Sequence, residues 1–372
     1  MQSSIRLKNS GGATGRRMKP NCNSDETQTI AVVGASARAA AFSLLRAGYK
    51  VVAADLFADV DLVGHCPVTR ITDYPQGFVP WLAETVCDSW LYTGALENYP
   101  TLVDELATLR RLEGNSGEGL RRVRDPLDLQ SVLHQAGFLF PQTITADDGL
   151  LRKGSWLGKT YQGSSGCGVG TSGKAPYYQQ FVSGIPLSAV FQGCALQGVT
   201  RQLVGETCAG AAPFQYCGTI SPWPISHEAQ HYLQRLGTLL SEEYHLVGYY
   251  GVDLIAHEGQ LWIIEINPRY TAAVEIVQQA CEDVGSCFGK MILYAESPLT
   301  VEASMRDQCL SHSGCYSWPT MADIPAAGSQ IAEGQPILTI FAKGESPVDV
   351  HLELQKKAEE LRLQIHAGAI SC

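Results

Sequence analysis

Residues 249–276 read YYGVDLIAHEGQLWIIEINPRYTAAVEI, two apolar runs flanking the polar HEGQ at 257–260. Apolar runs of this length, broken by a Gly-containing turn, predict an antiparallel hairpin. Side chains alternate faces along a strand, so Glu265, Asn267 and Arg269 share one face. A three-residue loop, Glu258–Gly259–Gln260, pairs His257 with Leu261 and sets Asp253 opposite Glu265 on that face. Two carboxylates and an amide oxygen converging there are hard oxygen donors. They suit Mg²⁺, which keeps waters and nucleotide phosphates as its other ligands. The plainer alternative is a half-buried hairpin with one solvated polar face. Charges that interrupt a run as apolar as LWIIEINP argue against it, because ionised groups among buried ones need a partner.

Upstream, WLGKTYQGSSGCGVG (156–170) places Lys159 on a short strand, with Gly163, Gly166, Gly168 and Gly170 close behind. Such a loop lets backbone N–H groups approach phosphate oxygens, while the lysine supplies a compact positive charge. No GK[ST] closes it into a helix, so it is not a P-loop, and alone it reads equally well as a flexible hairpin. PYYQQFVSGIPLSAVFQG (176–193) predicts two strands joined at Ser183–Gly184, with further strands over Gly198–Glu206 and Phe214–Ile220. Arg201 interrupts one of these runs. It is either an anchor for a substrate carboxylate or an exposed edge-strand charge.

The first structured segment, TIAVVGASARAAAFSLLRAGYKVVAADLFADVD (29–61), reads strand–turn–helix–strand, the opening of a parallel doubly wound sheet. A dinucleotide fingerprint would need Gly at Ser36 and Gly or Ala at Ala39, with Asp55 for the ribose. The altered glycine positions favour a Rossmann-like half without a dinucleotide. In VRDPLDLQSVLHQAGFLFP (123–141), Asp125 caps a helix, Pro126 suits its first turn and Gly137 ends it.

The chain has 372 residues, room for two or three domains at roughly 100–200 residues each. Twenty-seven basic against thirty-seven acidic residues, with no basic block, leave nothing to answer nucleic-acid phosphates or an anionic membrane. No apolar stretch of about 18 residues predicts a membrane span, and the polar N-terminus lacks a signal-peptide core. The twelve cysteines contain no CxxC pair, which favours reduced thiols and a cytoplasmic setting. His227-Glu-Ala-Gln-His231 matches the zinc-protease pattern HExxH. No third ligand stands out, however, and Ser226 with Glu228 is also an ordinary helix start.

Lys159 with its glycine loop, the QQFVSG turn and VDLIAHEGQLWIIEINPRY, in this order, resemble the ATP-grasp superfamily. The likeness is greatest to carboligase-type members related to biotin carboxylase, some of them associated with tetrahydromethanopterin-linked one-carbon metabolism. It covers about residues 29 to 345. It implies a Rossmann-like domain over 29–123 after a flexible tail (1–28), a two-lobed ATP-grasp core over 124–296, and a small β-rich C-terminal domain over 297–372. The last part carries MADIPAAGSQIAEGQPILTIFAKG and a surface helix from Leu352 to Leu363 packed by its leucines. The resemblance implies that Lys159 contacts nucleotide phosphates under a lid formed by Gly163, Gly166 and Gly168. Backbone groups of Gln179, Gln180, Phe181 and Val182 would meet adenine. Arg124 stands where a second nucleotide-contacting lysine is usual, and Gln179 and Pro186 where acidic residues are. Asp253, Glu265 and Asn267 would hold Mg²⁺ or Mn²⁺, and Arg269 would steady the transferring phosphoryl group or an acyl phosphate. The implied activity is an ATP-dependent carboxylate–amine (or thiol) ligase acting on small molecules. A carboxylase activating bicarbonate, or a non-catalytic ATP-binding module, is the alternative.

Overall fold

The computed structural model describes residues 27–145, 155–163, 166, 168–170 and 174–366; of the tail expected over 1–28, only Thr27 and Gln28 are among them. The chain opens with a parallel sheet of β1 (Thr29–Val33), β2 (Lys50–Asp55), β3 (Val68–Arg70), β4 (Ser89–Tyr92) and β5 (Arg111–Leu112), in spatial order β3-β2-β1-β4-β5. Strand β1 is buried on both faces. Ile30 and Val32 pack with Phe42 and Leu44 of the Arg38–Arg46 helix, while Ala31 and Val33 pack with Phe78, Trp90 and Leu106. That two-sided burial is what a continuous apolar run specifies. The strand order reverses between β1 and β4, so the loops after both open on one crevice. Asp55 is buried and accepts from the N–H groups of Ala37, Phe57 and Ala58 (3.0, 3.1 and 2.7 Å). It closes its own turn and has no free face for a ribose.

A small antiparallel sheet follows, β6 (Thr143–Ile144), β7 (Trp156–Lys159) and β8 (Tyr177–Gln180), in order β6-β8-β7. Beyond it come β9 (Ile185–Gln192), β10 (Ala195–Val204), β11 (Tyr216–Ser221), β12 (Tyr249–His257), β13 (Gln260–Asn267) and β14 (Cys287–Tyr294). With Pro336–Gly344 and Met321–Ala322 they build an eight-stranded antiparallel sheet, in order β13-β12-β9-β10-β11-β14 and then those two. The β-rich C-terminal part therefore extends this sheet. Cys287 to Tyr294 pair with Gly344 to Pro336, and Ile337, Leu338 and Ile340 share a core with Leu203, Ile220 and Met291. The terminal helix, Pro347–His366, buries Val350, Leu354, Ala358 and Leu361. Leu352 and Leu363, expected to pack, are exposed. The buried stripe keeps helical spacing but runs through other positions of the same helix.

One face of the large sheet carries the His227–Glu243 helix through Leu233, Leu236 and Leu240. The other is covered by the Ala272–Glu282 helix and the first domain, where Val190 packs with Val274, Val277 and Leu44. Charged residues rivet this second face. Arg38 donates to both carboxylate oxygens of Asp323 (2.9 and 3.0 Å) and pairs with Glu275, which also receives Lys290 at 2.9 Å. No helix among the described residues is long and apolar enough to cross a membrane.

Candidate nucleotide and metal site

Strands β12 and β13 form the edge of the large sheet, and Asp253 stands opposite Glu265. The route to that pairing differs from the sequence reading. The turn has two residues, Glu258 and Gly259, both at positive φ (49° and 77°), so His257 pairs with Gln260. Such a turn matches the twist of a hairpin. Continued unbroken, it would set Asp253 opposite Ile264. A bulge between Asp253 and Leu254 shifts the register by one and restores Glu265.

The oxygens gathered there are held by named donors. Asp253 Oδ1 accepts from Gln202 Nε2 at 2.8 Å, and its Oδ2 from Asn267 Nδ2 at 3.0 Å. Glu265 Oε1 accepts from Arg124 Nη1 at 2.6 Å, and the Glu265 side chain is 40% exposed to the cleft. Arg269 Nη2 approaches Asn267 Oδ1 at 3.4 Å, and its Nε donates to Glu97 at 2.6 Å. Lys159 is buried, its Nζ donating to Gln179 Oε1 at 2.6 Å, while Gln179 Nε2 reaches the Ile264 carbonyl at 3.4 Å. Asp253, Asn267 and Arg269 thus form one bonded chain and Arg124 with Glu265 another; the register sets Asp253 opposite Glu265, and Lys159 reaches the same strand through Gln179. Between the small and large sheets lies a cleft lined by Arg124, Tyr161, Tyr177, Gln179, Ile264 and Glu265.

The two carboxylates differ in charge state. Burial would raise Glu265, but the charges of Arg124 and then Lys159 outweigh it and hold the group below its ordinary value. For Asp253 burial, and then the charge of Glu265, outweigh the Ser188 and Asn267 side chains and the charge of Arg269 and push it up to about 6. Burial lowers Lys159, opposed by the attraction of Glu265 and Asp253. A cation beside Asp253 would relieve its strain. Two carboxylates and an amide oxygen fit Mg²⁺ or Mn²⁺. Among the described residues, no three His, Cys, Asp or Glu side chains gather as a metal-ligand group.

The other expected residues are placed as follows. Gly166 and Gly168 have φ of 82° and 84°; a Cβ on Gly166 would lie 2.0 Å from the Phe214 carbonyl oxygen, so only glycine lets the loop meet the large-sheet lobe. Gly163 closes a turn onto the Thr160 carbonyl, and Ser164, Ser165 and Cys167 lie outside the described residues. Gln180 and Phe181 spend their N–H groups on the carbonyls of Gln142 and Ser155 (both 2.8 Å), which leaves Val182. Arg201 lies on the wrong face. It is in the interior strand β10, directly across from Leu187 and Ile220, with its guanidinium over Trp223. Its neighbour Gln202 takes the cleft side, one residue from the choice the sequence suggested. His227 and His231 are exposed in the first turn of a helix whose N-cap, Ser226, accepts from the Ala229 N–H. Sequence reasoning missed Glu97, Asn98, Gln202, Tyr161 and Tyr177; only Gln202 had a signal, by strand alternation with Arg201.

Residues 123–273 match the family model of the ATP-grasp domain. Among solved structures, N5-carboxyaminoimidazole ribonucleotide synthetase in an ADP complex superposes with a TM-score of 0.64 at 16% identity, covering 91% of this chain and 97% of that one. The biotin carboxylase domain of 2-oxoglutarate carboxylase from Hydrogenobacter thermophilus, solved with MgADP and bicarbonate, gives 0.62 at 13%, covering 85% and 86%. Identities this low carry the fold. An uncharacterized protein of Methanocaldococcus jannaschii is 22% identical over 181 residues, a match spanning 44% of this chain and 42% of that relative. The family match covers the hairpin, the glycine loop and the hinge, and the solved structures share the frame around them: residues 123–273 match an ATP-grasp domain, set in a chain with the fold of N5-carboxyaminoimidazole ribonucleotide synthetase and biotin carboxylase domains.

Proposed function

We propose that this protein activates a small carboxylic acid with ATP through an acyl phosphate and passes the acyl group to an amine. One observation carries the reading: Asp253, Glu265 and Asn267 meet Arg124, Arg269 and Lys159 at a single cleft between two sheets. Oxygen donors for a divalent cation lie beside three fixed positive charges suited to phosphates. Asp253, Glu265 and Asn267 would hold Mg²⁺ or Mn²⁺, which when bound neutralises charge on phosphate oxygens. Lys159, Arg269 and the N–H groups of Gly166 and Gly168 stabilise charge on the transferring group, mainly by being fixed in advance. The Val182 N–H, which donates to no protein acceptor among the described residues, is left for the base. In the first step a carboxylate oxygen of the acid attacks the γ-phosphorus, and the bond to the β-phosphate oxygen breaks, leaving ADP. In the second the amine nitrogen attacks the acyl carbon, inorganic phosphate leaves, and the nitrogen loses a proton.

A second reading takes bicarbonate as the activated acid. It is favoured by the likeness to a biotin carboxylase domain solved with bicarbonate. One experiment addresses both readings. ADP release from MgATP is measured against pooled amino acids, pooled dicarboxylates and bicarbonate, each with and without pooled amines. Stimulation that needs an acid and an amine together supports the ligase. Stimulation by bicarbonate without any other acid supports the carboxylase. Nucleotide binding with no ADP release in any pool refutes both and leaves a binding module.

A further inference from the structure

The turn Leu96–Asn98 follows β4, at the crevice where the parallel sheet reverses its strand order, and two consecutive residues of it hold the two cleft arginines of the second domain. Glu97 accepts from Arg269 Nε at 2.6 Å, a contact 172 residues apart in sequence. Asn98 accepts from Arg124 Nη2 at 3.0 Å, and its own Nδ2 donates to the Gln162 carbonyl of the glycine loop at 3.3 Å.

The Arg269 guanidinium is boxed. Glu97 holds its Nε, Asn267 approaches one terminal nitrogen, and the backbone of Gly94 closes another side; a Cβ there would lie 2.9 Å from the Arg269 Cζ. Glu97 is 1% exposed, and its second oxygen, also buried, has no hydrogen-bond partner among the described residues. Burying a carboxylate for one contact is a poor way to gain stability, since an apolar side chain of similar size usually does as well. What a buried, charge-assisted contact does provide is direction.

We propose that Glu97 is a positioning residue: it fixes the Arg269 guanidinium beside the Asp253–Asn267 cluster, so that the phosphate side of the cleft is set by a residue of the first domain. The proposal rests on the reading that Arg269 faces the transferring phosphoryl group, and its test separates the two. Glu97→Gln keeps the size and removes the charge. At saturating MgATP and the stimulating pool, its ADP release should fall by about tenfold or more, while KM for MgATP stays within about threefold.

Independently of turnover, the rate at which phenylglyoxal modifies Arg269, read by peptide mass, reports whether the guanidinium is held. In the wild type Arg269 is 12% exposed and should react slowly; in Glu97→Gln it should react about tenfold faster, the factor expected from losing one charge-assisted bond. Arg122, remote from the turn and paired with Asp128, should react equally in both. Glu97→Asp, which keeps the charge but withdraws it by one methylene, is the second variant and should react at an intermediate rate. Equal Arg269 rates in wild type and variants overturn the proposal, whatever the turnover. If the wild type releases no ADP in any pool, the ligase reading falls, and the modification rates still decide whether Glu97 positions Arg269.

Discussion

The charges around Arg38 and those around Asp253 lie on the same face of the eight-stranded sheet. A cross-strand row, Lys290–Thr219–Gln202, runs from one to the other, and the Gln202 amide reaches Asp253. Around Arg38 the charges of Glu275 and Asp323 are answered. Burial alone would raise Glu275, yet Arg38 and Lys290 together bring it down to about 2, and both oxygens of Asp323 accept from the Arg38 guanidinium. Around Asp253 the answer is incomplete. Arg124 serves Glu265, while Asp253 is hydrogen-bonded by the uncharged side chains of Gln202, Asn267 and Ser188. The same residue types on one sheet face therefore make a rivet when each charge meets its opposite out of water. On the proposed reading, they offer a place for a cation where one carboxylate lacks a hydrogen-bonded counter-charge.

The largest effect should come from breaking the rivet. Arg38→Met removes a fully buried guanidinium and leaves Asp323 without its main partner, so urea denaturation should show a loss of about 3–5 kcal/mol. A loss under about 1 kcal/mol would mean that the cluster does not join the domains. Next is the proposed cation site. Glu265→Gln keeps an oxygen for Arg124 and should cost only about 1 kcal/mol of stability. Metal-dependent turnover should nevertheless fall by about 10²–10³, the usual scale for removing one fixed electrostatic contact at a reacting group. Glu258→Gln changes net charge equally at an 84%-exposed position in the hairpin turn, and ADP release should stay within about twofold. Equal losses in the two variants would remove Glu265 from the site. Lys159→Ala should lower ADP release by about 10–100-fold with the fold intact, since Gln179 retains its bond to Ile264. Unchanged release would place the phosphates elsewhere.

The hairpin shows how far the sequence could be read. The Asp253–Glu265 pairing was legible, but through two errors that cancel. Nothing in HEGQ announced that Glu258 would take a positive φ and shorten the turn, and nothing local announced the bulge that skips Ile264. The parallel order of the first sheet followed from its buried strands, because continuous apolar runs need cover on both sides. Arg201 was misjudged because alternation gives relative faces, and only the partner strands say which face meets the cleft. Glu97 and Asn98 could not be read at all. Their importance lies in contacts with Arg269 and Arg124 in another domain, and no periodicity in TGALENYP carries that information.

The smallest effect sharpens the comparison most, because it concerns the carboxylate with no hydrogen-bonded counter-charge. Asp253 titrates at about 6 in the folded protein and at an ordinary value near 3.8 when unfolded. Between these values the unfolded chain has released its proton while the folded chain keeps it, so the unfolded state binds fewer protons. Stability therefore falls as pH rises from about 4 to about 6, and stays lowered above. Asp61, in the rivet, is pushed to about 6 by burial and then by Asp323, and contributes in the same window and direction. Glu275 acts oppositely and lower: its contribution is present above its ordinary value of 4.5 and is lost as pH falls toward 2. The buried Asp55 and Asp59, raised mainly by burial, act in the same direction, so Asp253→Asn removes only one of these contributions. In the absence of metal and nucleotide, the variant should be more stable than the wild type at pH 7 by about 1–2 kcal/mol, a figure discounted for solvent screening, and indistinguishable from it at pH 4. Adding Mg²⁺ and ATP at pH 7 should reverse the order, because only the wild type offers the cation a second carboxylate. Urea denaturation at the two pH values, with and without MgATP, checks both halves. A variant that loses as much stability as the wild type between pH 4 and 7 would show that the strain in this cleft is not carried by Asp253.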